Sequence, residues 1–305
     1  MCTIAGEIGA RPSAAFSMTP TPADGQDARR FEAVRSANRN ETAEDYVEAI
    51  DDLVKQNGEA RVRDLAALFG VSHVTVSRTV ERLQRDGLVE TEPYRSIELT
   101  RAGRRMAAAS RERHAQVLAL LLSLGIEPEV AEQDAEGIEH HVGPETLAAF
   151  ERFVAARGEA PEGAPPATSA ADPERFARVR QAHASEITED YLEAISDLIA
   201  ESGSARVGDL ARRFGVSHAT VSRTVGRLQR DGYVETEPYR PVTLTPLGEE
   251  LAAHSRERHE SVLRFLLAIG VPQEAAEIDA EGIEHHVSER TLEAFDAVSD
   301  RGTTA

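Results

Sequence analysis

The strongest constraint in this sequence is an internal repeat. Residues 59–95 and 204–240 are identical at 30 of 37 positions, with a constant offset of 145. The same offset relates the segments SRERH and DAEGIEHHV to their second copies. A repeat of about 128 residues has the size of a whole domain, whereas solenoid repeats have only about 20–50 residues. The chain therefore reads as a tandem duplication of one unit, over about 29–156 and 174–301.

Composition narrows the classes of protein. The 53 acidic residues outnumber the 34 basic ones, and a net charge of −19 disfavours indiscriminate coating of DNA or of an anionic membrane. The single cysteine, Cys2, excludes intrachain disulfides and a cysteine-based zinc site. No apolar run reaches about 18 residues, so we expect no membrane span and a cytoplasmic protein.

Composition also marks where domains begin and end. Residues 1–28 are rich in Pro and Ala and predict a disordered tail, and the similar residues 157–173 predict a flexible linker. Each repeat is then predicted to contain a winged helix-turn-helix, at 29–105 and 174–250, followed by a helical pairing and metal domain, at 106–156 and 251–301.

Within the first repeat, apolar spacing predicts three helices and then a pair of strands. The first helix is predicted to start at Thr42, Gly70 to stop the second, and Ser72 to cap the third. After Gly87 the period changes to that of a strand, with a turn at 92–95 that predicts a two-stranded wing. The expected fold class is therefore mainly α, with two winged helix-turn-helix DNA-binding modules, each followed by a helical pairing and metal-binding module.

The third helix has a polar face suited to DNA. If Val76, Val80 and Leu83 face inward, the remaining side chains offer donors and acceptors to base edges and phosphates, and Arg78 suits a guanine. An ordinary solvated helix face is the alternative interpretation. The candidate DNA-binding residues are His73, Thr75, Ser77, Arg78, Arg82 and the wing residue Arg95, with His218, Thr220, Ser222, Arg223, Arg227 and Arg240 in the second repeat.

Charge is distributed as DNA binding requires. Residues 61–114 carry 11 Arg against 7 acidic residues, whereas 115–156 carry 1 Arg against 8. In the second repeat the counts are 9 against 7 over 206–259 and 3 against 10 over 260–301. The positive charge thus lies in the segments predicted to bind DNA.

Carboxylates and imidazoles recur at helical spacing and predict a metal site. Such ligands without a thiolate suit manganese(II), iron(II) or cobalt(II), and four carboxylates balance two divalent cations. A charged helix face explains the spacing equally well, so both interpretations stay open at this point. The candidate ligands are Asp45, Glu48, His114, Glu136, Glu139 and His140, with Asp190, Glu193, His259, Glu281, Glu284 and His285 in the second repeat.

Taken in order, EDYVE, the helix-turn-helix with its wing, SRERH and DAEGIEHH resemble the manganese transport regulators, the manganese-responsive branch of the diphtheria-toxin-repressor family. The resemblance implies that the twelve candidate ligands bind metal and that the second histidines, His141 and His286, are not direct ligands. The iron-selective branch has Met and Cys where this chain has Asp45 and Glu48, so the resemblance favours manganese(II) over iron. The charge of the four carboxylates predicts two ions per repeat, and the ligand types leave iron(II) and cobalt(II) as alternatives.

The duplication departs from the family pattern, in which single-repeat chains pair through their C-terminal helices. Here the helices around 115–124 and 261–269 are very apolar and need a partner. We expect the repeats to pair with each other within one chain or between two chains.

The resemblance implies a manganese-dependent regulator without enzymatic activity, which binds palindromic operator DNA and represses manganese uptake genes when metal is abundant. Three alternatives remain: a winged-helix regulator indifferent to metal, a metal buffer that never binds DNA, and a dinuclear metal enzyme.

Overall fold

The computed structural model describes residues 22–92, 95–158, 173–237 and 240–302, with side chains from residue 40 in the first repeat and from 185 in the second. Within these ranges the chain is mainly helical, and each repeat has six helices and one short hairpin, which confirms the predicted fold class. The elements are α1 (Pro22–Asn57), α2 (Val62–Phe69), α3 (His73–Arg85), β1 (Val89–Glu90), β2 (Glu98–Leu99), α4 (Arg101–Ser123), α5 (Pro128–Ile138), α6 (Pro144–Arg157), α7 (Pro173–Ser202), α8 (Val207–Arg213), α9 (His218–Arg230), β3 (Val234–Glu235), β4 (Thr243–Leu244), α10 (Pro246–Ala268), α11 (Gln273–Ile283) and α12 (Glu289–Gly302).

The first helix is longer than the sequence pattern predicts. It begins at Pro22 and not at Thr42, so the predicted start was wrong, and it takes in residues 22–28 of the predicted tail. Proline suits the first turn of a helix, and no further proline interrupts the segment up to Asn57. Residues 1–21 of the predicted tail and 159–172 of the predicted linker lie outside the described residues.

Each repeat builds its own winged helix-turn-helix head around a separate core. In the first head, Ile50, Leu65, Val76 and Leu83 are fully buried in one cluster with the inner faces of α1, α2 and α3. Gly70 ends α2 in the left-handed conformation, at φ 61°, which a residue without Cβ adopts at little cost.

The third helix and the wing form as the sequence predicts. The Ser72 hydroxyl accepts a hydrogen bond from the Thr75 N–H at 3.1 Å, so Ser72 is the N-cap of α3. Strands β1 and β2 pair antiparallel, and the Arg95 N–H donates to the Glu92 carbonyl at 3.0 Å, which closes the turn of the wing. The second repeat has the same cap, at Ser217, and the same strand pairing.

One continuous helix joins each head to the module that follows it. In the first repeat this helix is α4, which carries Ala107 in the head core and Val117 in the next core. It crosses the predicted module boundary at 105/106, just as α10 crosses the one at 250/251. His114 therefore lies within a 23-residue helix that reaches from the head into the shared core.

The remaining helices of both repeats share a single hydrophobic core. Leu121 and Phe150 of the first repeat and Phe265 and Phe295 of the second belong to one buried cluster. The Phe153 ring meets the Phe265 ring edge to face across the repeats, with centroids 6.2 Å apart. Burying each such side chain contributes about 1.5–3 kcal/mol, so the apolar helices of the two repeats stabilise one another.

The heads also touch the opposite repeat. Helix α1 contacts α8, and α2 contacts α7, so the first helix of each head lies against the second helix of the other. Across the described part of the chain, every helix is too short or too polar to span a membrane.

Candidate metal centres and DNA interface

The first candidate metal centre lies where α1, α4 and the C-terminal end of α5 meet. Nδ1 of His114 is 2.7 Å from Oε2 of Glu139, and one ligand atom from each of His114, Glu136 and Glu139 lies within 4.8 Å of the others. Nε2 of His140 is 3.3 Å from Oε1 of Glu139 and 3.8 Å from Oδ1 of Asp45. The structure thus brings five of the six predicted residues into one series of contacts.

The sixth residue, Glu48, lies one turn beyond Asp45 on α1 and is 5% exposed. Burial, together with the charges of Glu284 and Asp190, raises the pKa of its counterpart Glu193 to about 7. Glu193 is thus within electrostatic range of other carboxylates of the second centre.

The second centre repeats the arrangement. Nε2 of His285 is 3.2 Å from Oδ1 of Asp190 and 3.6 Å from Oε1 of Glu284. His259 Nδ1 contacts Glu284 and lies 4.0 Å from Oε2 of Glu281. The two halves therefore bring together equivalent residues in the same order.

An excess of buried carboxylates shifts the pKa values of ionisable groups in both centres. Burial alone would lower the pKa of His114, but close contacts with the carboxylates of Glu132 and Glu139 raise it to about 11. Burial, together with the charge of Asp190, raises the pKa of Glu284 to about 8. Protons thus offset part of the crowded negative charge, a role that a bound cation would take over.

The donor atoms fit a divalent cation of the harder kind. Each centre offers four carboxylates, two imidazoles and no thiolate, which suits manganese(II) and similar ions. In the first centre, the buried Nε2 of His140 makes no hydrogen bond and faces the oxygens of Glu139 and Asp45. A nitrogen in that position is available to a metal.

Residues that orient the ligands were missed by sequence reasoning. Oε2 of Glu44 lies 2.8 Å from Nδ1 of His140 and 2.7 Å from Nη2 of Arg113. In the second repeat, Glu189 lies 2.7 Å from Nδ1 of His285. Identity between the repeats was the available signal, because Glu44 and Arg113 both recur at the offset of 145.

The second histidines of the two pairs lie between the repeats. The rings of His141 and His286 stack with centroids 4.9 Å apart. A Cβ added to Gly137 would come within 2.3 Å of His286, and one added to Gly282 within 2.1 Å of His141. Because equivalent residues of the two repeats meet here, these histidines mark a pseudo-two-fold axis between the repeats. That they are not direct ligands stays a prediction.

The candidate DNA interface is the outer face of α3 and its counterpart α9. His73, Thr75 and Arg78 are exposed and Ser77 is half-buried, while Val76 and Leu83 are fully buried on the opposite face. In the second repeat, His218, Thr220, Ser222 and Arg223 are all exposed. The predicted division into an inner and an outer face is therefore present in both heads.

Two predicted DNA contacts have a different environment from the others. Arg82 and Arg227 are half-buried, and the Nη2 of each is shielded from solvent, so the expectation that they point away from the protein holds only for part of each side chain. The wing residues Arg95 and Arg240 are exposed, and Arg95 lies 3.6 Å from Glu92 within its own turn.

Comparison with known domains agrees with this architecture. The family described as iron dependent repressor, N-terminal DNA binding domain, matches residues 40–97 and 183–242. The family described as iron dependent repressor, metal binding and dimerisation domain, matches residues 100–167 and 245–304. The chain therefore belongs to the iron-dependent repressor family of metal-dependent transcriptional regulators, with both domains present twice.

The relatives narrow the class further. The chain is 53% identical over 133 residues to Transcriptional regulator MntR of Salmonella typhimurium, a match that covers 43% of this chain and 85% of that protein. The protein of the same name from Escherichia coli O157:H7 is 55% identical over 122 residues, covering 40% of this chain and 79% of that protein. HTH-type transcriptional regulator MntR of Lysinibacillus sphaericus is 45% identical over 105 residues, covering 34% and 76%. The predicted resemblance to the manganese transport regulators and the tandem duplication are thereby confirmed.

Proposed function

We propose that this protein is a manganese(II)-dependent repressor that binds operator DNA and silences manganese uptake genes when the metal is abundant. The contact series from His114 through Glu139 to His140 and Asp45 is the observation that carries the proposal, since it joins ligand types suited to manganese. Its site of action is the cytoplasm, where operator DNA lies, and its role is regulatory and not catalytic. The relatives named MntR are transcriptional regulators.

Two manganese ions per repeat are proposed. Two divalent cations balance the four carboxylates of each centre, and carboxylates at Asp45 and Glu48 favour manganese over a softer ion. The proposed ligands are Asp45, Glu48, His114, Glu136, Glu139 and His140, and Asp190, Glu193, His259, Glu281, Glu284 and His285.

The ligands come from two bodies, which suggests how metal would control DNA binding. Asp45 and Glu48 lie on α1 of the head, whereas Glu136 and Glu139 lie in the module of the shared core. Without a cation the clustered carboxylates repel one another, and a cation between them favours one arrangement of head and core. Metal then shifts the population toward the DNA-competent arrangement, by no more than its difference in affinity for the two.

A single chain is proposed to take the place of a homodimer. The two heads would read the halves of one palindrome, whose recognition helices lie about 34 Å apart, one turn of DNA. The shared core, with Leu121 and Phe265 fully buried, supports pairing within the chain. Sedimentation at micromolar concentration tests this directly: a particle of 33.1 kDa is expected, and a stable particle of twice that mass would reject the single-chain arrangement.

The metal assignment is tested by fluorescence anisotropy of promoter DNA titrated with manganese, iron(II), cobalt(II) and zinc. Glu136→Ala combined with Glu281→Ala is expected to lower metal-dependent DNA affinity while the helical circular dichroism spectrum stays unchanged. Glu129→Ala with Glu274→Ala is the matched control, because these exposed glutamates lie on the same two helices. A normal manganese response in the Glu136/Glu281 variant would reject the assignment.

A chelator separates the proposal from a regulator that ignores metal. Removal of metal is expected to abolish tight operator binding, whereas an unchanged affinity would favour a winged-helix regulator that does not respond to metal. Contacts to DNA phosphates make the affinity for DNA fall steeply as the salt concentration rises. A metal buffer that never binds DNA would lack this dependence.

A further inference from the structure

The two recognition helices of this chain are not identical. Over 13 residues, α3 reads HVTVSRTVERLQR and α9 reads HATVSRTVGRLQR, so only two positions differ. The first pair is Val74 and Ala219, and the second is Glu81 and Gly226. Every other candidate DNA contact on these helices is the same in both heads.

Both differences lie on the side of the helix that faces away from the head core. With 3.6 residues per turn, Val74, Arg78 and Glu81 fall on one face, opposite the buried Val76 and Val80. Val74 is 61% exposed, more than any other large apolar side chain that is exposed in the described part of the chain.

The second head presents a smaller surface at the same two positions. Ala219 is exposed, and a Cβ built on Gly226 meets no atom within 4 Å. Packing therefore does not require glycine at position 226, and glycine within a helix weakens it relative to alanine. Both positions lie outside the buried stripe of their helix, so the two differences change what the outer face can bind.

The side chains differ in the DNA chemistry that they offer. The Val74 methyl groups suit contact with a thymine methyl in the major groove, and the Glu81 carboxylate accepts a hydrogen bond from the amino group of cytosine. Ala219 offers less apolar surface, and Gly226 offers no side chain at all. The head with α3 therefore offers a carboxylate that the head with α9 lacks, and a larger apolar surface at Val74 than the second head offers at Ala219.

The duplication turns this difference into a property of the operator. In a homodimer of single-repeat chains the two heads are identical and read identical half-sites. Here the shared core, with Phe153 of one repeat against Phe265 of the other, pairs one head of each kind. The two unlike recognition helices are then held on opposite sides of one pseudo-two-fold axis.

We propose that the chain reads an asymmetric operator. The half-site under α3 is specified by Val74 and Glu81 in addition to the shared contacts, and the half-site under α9 is specified by the shared contacts alone. This inference rests on the proposed function, because it assumes that the outer faces of α3 and α9 bind DNA. Beyond the proposed function, it predicts that the chain binds its operator in one orientation.

Selection from a random DNA library by the full chain, with manganese present, tests the proposal. The expected result is an enriched site with two related halves, one of which carries added preference at about two base pairs. Exchanging those base pairs for others should lower affinity by about tenfold or more, since each good base contact discriminates by about that factor. A perfect palindrome with equal preference in both halves would overturn the asymmetry and leave the proposed function standing. Failure to enrich any sequence would overturn the proposed function itself.

Two reciprocal variants test the assignment to these residues. Val74→Ala with Glu81→Gly makes α3 identical in sequence to α9. Selection with this variant should enrich a symmetric site in which neither half carries the added base preference. Ala219→Val with Gly226→Glu makes α9 identical to α3 and should return a symmetric site with the added preference in both halves. Gln116→Ser is the control, because it makes the repeats alike at one position outside the recognition helices, where the second repeat has Ser261, and it should leave the site asymmetric. Unchanged asymmetry in both reciprocal variants contradicts the proposal.

Discussion

Oδ2 of Asp134 accepts two hydrogen bonds from Ser288 of the other repeat, one from its N–H at 3.0 Å and one from its hydroxyl at 2.8 Å. In return, Oδ2 of Asp279 accepts the N–H of Gly143 at 2.7 Å. Ser288 and Gly143 immediately precede α12 and α6, so each repeat supplies a carboxylate to the start of a helix in the other. The segment that supplies metal ligand candidates thus also holds the repeats together.

Replacing Asp134 should weaken the pairing of the repeats. Asp134→Ala removes two hydrogen bonds to a buried carboxylate and a negative charge at a helix start, for an expected loss of about 1–3 kcal/mol in the free energy of unfolding. Urea denaturation followed by circular dichroism measures it. Glu129→Ala, on the exposed face of the same helix, should change this free energy by well under 1 kcal/mol. Equal effects of the two substitutions would contradict a role for the Asp134–Ser288 contact.

Gly137→Ala should also destabilise the paired repeats. The added Cβ would lie 2.3 Å from Nδ1 and 2.6 Å from Cβ of His286, so the helices must separate to admit it. The expected loss is about 1–3 kcal/mol, as for other overpacked contacts. His286→Gly in the same chain should recover part of the loss by removing the clashing side chain. If Gly137→Ala unfolds at the wild-type urea concentration, the close approach is not a constraint on pairing.

The same substitution at Gly226 should raise the free energy of unfolding, whereas at Gly137 it should lower it. Gly226 lies inside α9, and its added Cβ meets nothing within 4 Å. Alanine lowers the conformational entropy of the unfolded chain and favours helix, so Gly226→Ala should stabilise by about 0.5–1 kcal/mol. Thermal denaturation of both alanine variants provides the comparison, and a loss of stability at Gly226 would show that α9 needs glycine for its backbone.

Repeated, periodic features were predictable from the sequence. Val76 and Val80 follow helical periodicity, Gly70 and Ser72 are local stop and cap signals, and all four behave as predicted. The start of α1 was not predictable in this way, because its first 20 residues carry no clear apolar stripe and the helix contacts the other repeat. Tertiary contacts of that kind leave little trace in local sequence.

The candidate ligands were predictable, but their surroundings were not. Asp45, His114 and Glu139 were found by residue type and spacing, and the structure brings them close together. Glu44 is adjacent to Asp45 and reads as one more acidic residue of a helix, since only the fold places it against His140. Asp134 is missed for the same reason, because its partner is 154 positions away.

Glu44 should tune metal affinity without binding metal. By accepting the Nδ1 proton of His140 it directs Nε2 toward the other carboxylates, and loss of such a partner lowers metal affinity by about 10–100-fold. Glu44→Gln with Glu189→Gln should therefore weaken manganese binding measured by calorimetry. Glu112→Gln with Glu257→Gln removes the same charges at exposed positions and should leave the affinity near its original value.

The clearest separation of DNA contact from metal response should come from Arg78. Arg78 and its counterpart Arg223 are exposed on the outer faces of α3 and α9, where a bidentate contact to guanine discriminates by about 1–3 kcal/mol. Arg78→Ala with Arg223→Ala should lower operator affinity by at least about tenfold while the manganese isotherm stays unchanged, since neither residue approaches the metal centres.

Anisotropy titrations over a range of salt concentrations then distinguish the kind of contact. If the arginines contact bases, discrimination between operator and unrelated DNA falls and the salt slope changes little, whereas a phosphate contact lowers the slope by about one per residue. Arg152→Ala, on the exposed face of α6, should change neither property.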